Sequence, residues 1–219
     1  MISTHDLSRL PAPHRLRLVL QSMAMLDALI EAEWQFRYYS FNAHWSPTEQ
    51  MGSMRNGEGD DFFSVFDANG CFIKGFVHEA SMSPYRTNPP LVWGGILDQV
   101  PLTFAKSLRE PAFKISDTTF GIWRRPSDSA WQVGSISFPS EPDPDGSEYL
   151  LSALDGRPES YHEWAQGYYD RALQLQAVTH VYQHRPLTAA MLADLGSSRT
   201  LSELAPEADE IGYPSNTAA

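Results

Sequence analysis

Five polar residues near the middle of the chain have side chains that could carry out acid–base chemistry or bind a metal ion. They are Arg55, Asp60, Asp61, His78 and Glu79. A histidine beside carboxylates can transfer protons, and the same groups are common ligands of divalent metals. These residues form the candidate ligand site, with Tyr85 and Trp93 as its walls. A polar cap, in which Arg55 pairs with an acid, is the more common outcome for such residues.

The position of these side chains depends on a β-hairpin that the sequence predicts over residues 60–79. Two apolar runs, Asp61–Phe66 and Cys71–Val77, flank the turn Asp67-Ala68-Asn69-Gly70. Asn-Gly is a strong hairpin signal, because both residues tolerate positive φ. The outer ends of two antiparallel strands meet at the open end of their hairpin. The sequence therefore predicts that Asp60 and Glu79 are neighbours.

The other elements before residue 139 follow from the spacing of apolar residues, which predicts a sheet built from two hairpins and an aromatic strand. The predictions are a helix over His14–Glu33, a strand over Trp34–Phe41, a loop over Asn42–Asp60, a short helix over Leu91–Gln99 and a second hairpin over Thr118–Phe138. Trp34, Phe36 and Tyr38 alternate with polar residues or tyrosine, which is typical of a strand.

A helical tail is predicted after an acidic linker, Ser140–Gly146. Its helices are expected over Ser147–Leu154, Pro158–Ala172, Leu173–Gln183 and Thr188–Leu195, with a capping box at Thr200-Leu201-Ser202-Glu203. Residues after Gly212 are expected to fray. Helix, sheet and helical tail in this order indicate one α+β domain over residues 1–219, with a sheet-rich part over 1–139 and a tail over 147–205.

Composition limits the classes of protein that remain. The chain is 42% hydrophobic, which is enough for a core, and no apolar run is long enough to span a bilayer. The N-terminus lacks a basic region followed by an apolar block, so no secretory signal is predicted. Cys71 is the only cysteine and is expected to be buried. Together these features predict a cytoplasmic protein.

The net charge of −11 is distributed unevenly. Residues 139–219 contain 13 acidic and 4 basic side chains, whereas residues 1–138 contain 14 and 12. An acidic surface argues against nucleic acid and is compatible with a basic protein partner, although it can also serve solubility alone. The candidate partner-binding residues are Asp143, Asp145, Glu148 and Glu159.

Complete catalytic or metal-binding motifs are not found in the sequence. His180 and His184 have the spacing of a helical zinc pair, but Val181 stands where the metalloprotease motif needs glutamate. Residues 141–152 resemble the start of an EF-hand loop, and Ser152 replaces its bidentate glutamate. We therefore predict neither a cofactor nor a metal, and we expect a protein that is not an enzyme.

Two segments carry a resemblance to a bacterial protein family without an assigned activity. These are MGSMRNGEGDDFFSVFDANGCFIKGFVHEASMSPY and HVYQHRPLT. Some members of that family lie near toxin genes, so the resemblance implies an immunity-type role. The expected function is a non-enzymatic acidic binding protein that inhibits a bacterial toxin or another basic partner. The alternative is an enzyme, or a small-ligand or metal-binding protein, with its pocket at the open end of the 60–79 hairpin.

Overall fold

The hairpin around Asn69-Gly70 lies in the middle of an antiparallel sheet. The structure is a computed structural model that describes residues 1–214, and six strands pair in sequence order within those residues. The strands are β1 (Tyr39–Ser46), β2 (Glu49–Arg55), β3 (Asp61–Asp67), β4 (Gly70–Phe76), β5 (Phe120–Arg124) and β6 (Gln132–Val133). Both predicted hairpins are confirmed, as β3–β4 and β5–β6.

The turn between β3 and β4 is fixed by side-chain and backbone chemistry together. Asp67 pairs with Gly70, so the loop itself is Ala68-Asn69. The Asp67 carboxylate accepts a 2.7 Å hydrogen bond from the Asn69 amide. Gly70 has φ of +120°, which favours glycine, whereas Asn69 keeps a negative φ. The hairpin is therefore as predicted, but only one residue of the Asn-Gly pair has positive φ.

The α+β class predicted from the sequence is confirmed, because helices from both ends of the chain pack on this sheet. They are α1 (Pro13–Ile30), α2 (Ser147–Leu151), α3 (Pro158–Tyr169), α4 (Leu175–Tyr182), α5 (Ala189–Asp194) and α6 (Leu201–Ile211). α1 lies against β1 and β2 on one side and against α4 and α6 on the other. No helix within residues 1–214 is long and apolar enough to cross a membrane.

The predicted helix caps in the tail are present. The Thr188 hydroxyl accepts a hydrogen bond from the Met191 amide at the start of α5. At the start of α6, Thr200 and Glu203 form the complete capping box. Such caps pair amides that a helix itself leaves without acceptors.

The first strands differ from the sequence prediction. Trp34–Phe36 form a short 3-10 turn, so β1 begins only at Tyr39. β2 lies inside the stretch Asn42–Asp60 that was predicted as a loop, and that prediction was wrong. A Cβ at Gly52 in β2 would lie 2.9 Å from Leu20 Cδ1, so the glycine allows α1 to pack closely on the sheet. Gly52 was interpreted as a loop residue, but it lies in a strand and allows close packing.

The helix predicted over Leu91–Gln99 is also wrong. These residues form turns, and Gly95 has φ of +92°. A Cβ at Gly95 would lie 2.2 Å from the Ser135 carbonyl oxygen. Close packing on the segment after β6 therefore replaces helix formation.

The predicted linker Ser140–Gly146 is part of the packed structure. Asp145 and Ser147 are completely buried, and both contact Thr4 near the N-terminus. The Asp143 carboxylate accepts hydrogen bonds from two amides at the start of α2. The acidic residues of this segment thus hold the N-terminus and α2 in place.

The chain near its end is anchored rather than frayed at Tyr213. This side chain is buried, and its hydroxyl donates to the Arg185 carbonyl at 2.7 Å and to the Val181 carbonyl at 3.2 Å. Residues 215–219, which the fraying prediction also covered, lie outside the described residues.

Candidate functional site

The open end of the β3–β4 hairpin brings Asp60 close to the end of β4, as the sequence predicts. One Asp60 carboxylate oxygen accepts a 2.8 Å hydrogen bond from the His78 amide. The other accepts a 2.8 Å hydrogen bond from the Asn56 side chain. Asp60 therefore closes the end of the hairpin, and both of its oxygens are engaged.

His78 and Glu79 form an exposed surface network. His78 Nδ1 lies 3.0 Å from Glu79 Oε1, and Arg86 Nη2 lies 3.1 Å from Glu79 Oε2. These contacts, with that of His78 first, lower the pKa of the Glu79 carboxyl. A shallow groove of about 470 Å³ passes Glu79, but its other walls are Arg86 and residues 80–81 and 141–143. The site residues thus satisfy one another at the surface, as in a polar cap.

Asp61 forms an ion pair with a buried lysine, not with His78. Lys74 Nζ lies 2.8 Å from Asp61 Oδ1, and the lysine side chain is only 1% exposed. It also lies 5.6 Å from the ring centre of Phe63 and 5.5 Å from that of Phe76. Burial raises the pKa of Asp61 and lowers the pKa of Lys74, while the pairing of opposite charges opposes both shifts. Sequence reasoning missed Lys74, whose signal was a lone charge within the apolar run 71–77.

The other three predicted site residues do not all lie at the open end of the hairpin. Tyr85 lies at the site, because its ring centre is 6.0 Å from that of His78 and its hydroxyl donates to Asp117 at 3.0 Å. Trp93 instead donates from its indole nitrogen to the Ser137 carbonyl at 3.1 Å. Within residues 1–214, Arg55 forms no ion pair with an acid, which the polar-cap interpretation required; its guanidinium lies 4.8 Å from the ring centre of Trp34.

The histidine pair in the tail does not form a shared site. His180 Nε2 contacts the Pro186 carbonyl at 2.8 Å, and His184 Nε2 contacts the Leu18 carbonyl at 2.9 Å. His184 lies beyond α4 with φ of +51°, so the two rings do not share a helix face. Within residues 1–214, no group of three or more His, Cys, Asp or Glu side chains is placed to hold a metal ion.

The acidic residues proposed for partner binding have unequal exposure. Asp145 is buried against Thr4 and cannot contact a partner, which corrects that expectation. Asp143 uses both carboxylate oxygens at the start of α2. Glu148 is half-buried, and Glu159 is exposed, 3.6 Å from Arg157. Glu159 is therefore the most accessible of the four.

A cluster of exposed aromatic side chains, which sequence reasoning did not find, lies where β1 begins. It comprises Trp34 (57% exposed), Phe36 (54%), Tyr149 (50%) and Tyr168 (42%), and we call these four residues the aromatic face. Tyr38 lies beneath them: its ring centre is 5.0 Å from that of Tyr168, and its hydroxyl is 3.4 Å from that of Tyr149. The Tyr168 hydroxyl also reaches the Phe36 carbonyl at 3.5 Å.

Arg55 contacts both Trp34 and the backbone of Tyr38 beneath the aromatic face. The Arg55 guanidinium covers the Trp34 ring, and the Arg55 amide donates a 2.9 Å hydrogen bond to the Tyr38 carbonyl. The sequence signal was the aromatic run Trp34–Tyr39. It was assigned to a core strand, but the 3-10 turn over Trp34–Phe36 directs its first members to the surface.

Acidic side chains surround the aromatic face. Burial raises the pKa of the Tyr168 hydroxyl, and the charges of Asp27, Glu31 and Glu58 raise it further. Asp60 has the same effect on the pKa of Tyr38, after burial and the neighbouring tyrosines. Within the described part of the chain, Glu31, Glu58 and Asp60 form no ion pair with lysine or arginine. Arg55, Arg37 and Arg171 are cations nearby, since Arg37 donates to the Glu31 carbonyl and Arg171 to the Ile30 carbonyl.

Comparisons with known proteins add no homologue to this picture. No family model matches the chain, and neither the curated proteins nor the solved structures gave a significant match. The proposals below therefore depend on the geometry of the molecule.

Proposed function

We propose that this chain is a non-enzymatic binding protein that uses the aromatic face and its acidic surroundings to bind a basic protein. The observation that carries the proposal is the exposure of Trp34, Phe36, Tyr149 and Tyr168, of which Tyr149 and Tyr168 both contact Tyr38 and Tyr168 reaches the Phe36 carbonyl. Large exposed aromatic patches are costly in water, and they commonly mark interaction surfaces.

The composition of the face suits protein recognition. Tryptophan and tyrosine provide large contact areas with little side-chain entropy to lose, and they are enriched among residues that dominate binding energy. Tyr168 stacks on Trp164 and packs edge-on against Tyr38, so part of the face is ordered before a partner binds. Preorganisation lowers the entropic cost of association.

The charge of the face favours a basic partner. Glu31 and Glu58 lie close enough to act on Tyr168 of the face, and Asp60 acts on Tyr38 beneath it. Their field would attract lysine and arginine side chains and accelerate association. The net charge of −11 for the whole chain has the same sign.

The finer assignment is an immunity-type inhibitor of a bacterial toxin. It is supported by the resemblance to bacterial proteins near toxin genes and by the acidic charge, which suits a basic toxin. Cys71, the single cysteine, is buried, which is compatible with the reducing bacterial cytoplasm where such an inhibitor would act.

A small-ligand site at the open end of the hairpin is the second proposal. It has the buried Asp61–Lys74 pair in its favour, because ionisable groups with shifted pKa values often mark functional sites. Against it, His78 and Glu79 are exposed and satisfied by each other and by Arg86.

The test compares the wild-type chain with a Trp34→Ala/Tyr168→Ala variant. Partners captured from the source organism are identified, made as recombinant protein and measured by calorimetry. We expect a basic protein whose dissociation constant rises at least about hundredfold in the variant, since each aromatic hot spot contributes on the order of 2 kcal/mol. The affinity is also expected to fall as salt concentration rises.

The matched control is Leu102→Ala, which truncates another exposed apolar side chain that lies outside the aromatic face. It should leave the dissociation constant unchanged. A partner that binds the double variant as tightly as the wild type would overturn the proposed surface. For the immunity role, co-expression should restore growth of cells that produce the captured protein, and continued growth arrest would exclude that role.

A further inference from the structure

A well-formed cavity lies at the turn end of the β3–β4 hairpin, away from the aromatic face. Its volume is about 540 Å³, which is in the range of small-molecule sites. Its walls come from the start of α1, the β1–β2 turn, β2, the β3–β4 turn and the segment after β5. Distant parts of the sequence therefore converge on one concave space.

Two guanidinium groups in the wall have no carboxylate partner among residues 1–214. Arg17 Nη1 donates to Gln50 Oε1 at 3.2 Å, which is a neutral acceptor. Arg124 donates to two backbone carbonyls, those of Asp128 at 3.3 Å and Ser129 at 2.9 Å. Both arginines line the cavity.

The carboxylates in the wall are engaged by their own neighbours. Asp128 accepts three side-chain hydrogen bonds from Arg125, at 2.8 to 3.2 Å. Asp67 accepts from the amide and the side chain of Asn69 within the hairpin turn. With three arginines and two aspartates in the wall, the cavity has a formal charge of +1 on a chain whose net charge is −11.

Apolar groups complete the wall, so the space suits more than a bare inorganic ion. They are Ala12, Pro13, Phe66 and Pro126. In addition, no side chain caps the first turn of α1, which borders the cavity and contains no acidic residue. The partial positive charge at a helix start adds to the field of the arginines.

From these observations we infer that the cavity binds a small organic anion, with its phosphate or carboxylate group on Arg17 and Arg124 and its apolar body against Phe66 and the prolines. Guanidinium groups bind both oxyanions through paired, charge-assisted hydrogen bonds. This site is independent of the proposed protein-binding surface, because none of its wall residues belongs to the aromatic face.

The test is an NMR titration of ¹⁵N-labelled protein with four probes at low salt. Phenyl phosphate and benzoate carry the two candidate anions on the same ring, inorganic phosphate carries the head group alone, and benzylamine is a cation of similar size. We expect saturable shifts of the His14, Gly70 and Arg125 amides with at least one aromatic anion and none with benzylamine. Tighter binding of phenyl phosphate would assign a phosphate ligand, and tighter binding of benzoate a carboxylate ligand.

The decisive variant is Arg17→Glu, with Arg15→Glu as its matched control. Both make the same charge change on the first two turns of α1, but Arg15 does not line the cavity. Arg17→Glu should weaken binding at least about tenfold, as expected for loss of a charge-assisted pair, and Arg15→Glu less than about twofold. If Arg17→Glu does not fold, Arg17→Met replaces it. Equal weakening by both charge variants, no saturation by either aromatic anion, or equal binding of benzylamine would overturn the inference.

Discussion

The buried carboxylate of Asp27 accepts a 2.6 Å hydrogen bond from the Tyr161 hydroxyl, which ties the end of α1 to α3. Its other oxygen accepts from the amides of Tyr38 and Tyr39 at 2.9 and 2.7 Å. One side chain therefore orders the start of β1 and holds the backbone beneath the aromatic face. Burial outweighs these hydrogen bonds and raises the pKa of Asp27 to about 6.

The first prediction concerns the pH dependence of stability at Asp27. The pKa rises from 3.8 to about 6 on folding, so protonated Asp27 contributes stability that is full below pH 3.8 and is lost as pH rises through 6. Asp27→Asn cannot ionise. Relative to wild type, the variant should therefore gain about 2 kcal/mol of unfolding free energy between pH 4 and pH 7.

Urea denaturation at both pH values, followed by tryptophan fluorescence, measures this difference. Asp170→Asn, at an exposed position after α3, controls for the loss of a carboxylate. Parallel pH profiles for wild type and Asp27→Asn would show that Asp27 does not titrate as stated.

A second prediction follows from the Asp61–Lys74 pair. Asp61→Asn leaves a lysine that is 1% exposed without its counter-ion, so it should cost about 3 kcal/mol. Lys74→Met keeps the apolar stem and leaves Asp61, 25% exposed, in reach of water, so it should cost less. The double variant should be more stable than Asp61→Asn alone. A double-mutant cycle by denaturant unfolding measures the coupling, and simple additivity of the two costs would contradict it.

Local sequence patterns correctly predicted those elements whose own residues carry a clear pattern. α1 has an apolar stripe, and the hairpins have β-rich runs around clear turns. β2 was missed because glycine in a sequence usually indicates a loop. Gly52 instead lies in a strand, where the absence of a side chain allows Leu20 of α1 to pack closely. The prediction of a helix over Leu91–Gln99 was wrong for the same reason, because Gly95 packs closely on Ser135. Glycine positions set by tertiary contacts cannot be separated from loop glycines in a single sequence.

The candidate site was predictable only as far as hairpin geometry extends. The proximity of Asp60 to His78 follows from pairing of adjacent strands, and it was predicted. The contact between Tyr38 and Tyr149 joins residues 111 positions apart, and no local pattern indicates it. The cationic cavity depends on the same kind of long-range assembly, because Arg17 and Arg124 line one space only after α1 and β5 have packed in the folded chain.

A third prediction tests the close packing of the hairpin turn. A Cβ at Gly70 would lie 2.1 Å from the Arg124 carbonyl oxygen, and Gly70 has φ of +120°. Gly70→Ala should therefore cost about 2 kcal/mol or more. Gly57→Ala is the matched control, because Gly57 has φ of +78° with no atom within 4 Å of its Cβ position. It should cost only about 1 kcal/mol. If both variants had the same thermal stability, the close approach of a Cβ at position 70 to the Arg124 carbonyl in β5 would not destabilise the fold.

The fourth prediction concerns Tyr213, which joins the end of α6 to α4. Its hydroxyl donates to the Val181 and Arg185 carbonyls, and its ring is buried. Tyr213→Phe removes only the donor and should cost about 1 kcal/mol. Tyr213→Ala also opens a cavity and should cost about 3 kcal/mol or more.

Chemical denaturation of both Tyr213 variants beside Tyr168→Phe measures these costs. Tyr168 is half-exposed and its hydroxyl makes only a 3.5 Å contact, so its loss should change stability by less than about 0.5 kcal/mol. Tyr213→Phe and Tyr168→Phe each remove a single phenolic oxygen. A larger cost at Tyr213 would therefore distinguish an anchored tyrosine from a surface one. If Tyr213→Ala were as stable as wild type, the chain after α6 would not be anchored at Tyr213, and α4 would owe its position to α1 and α3 alone.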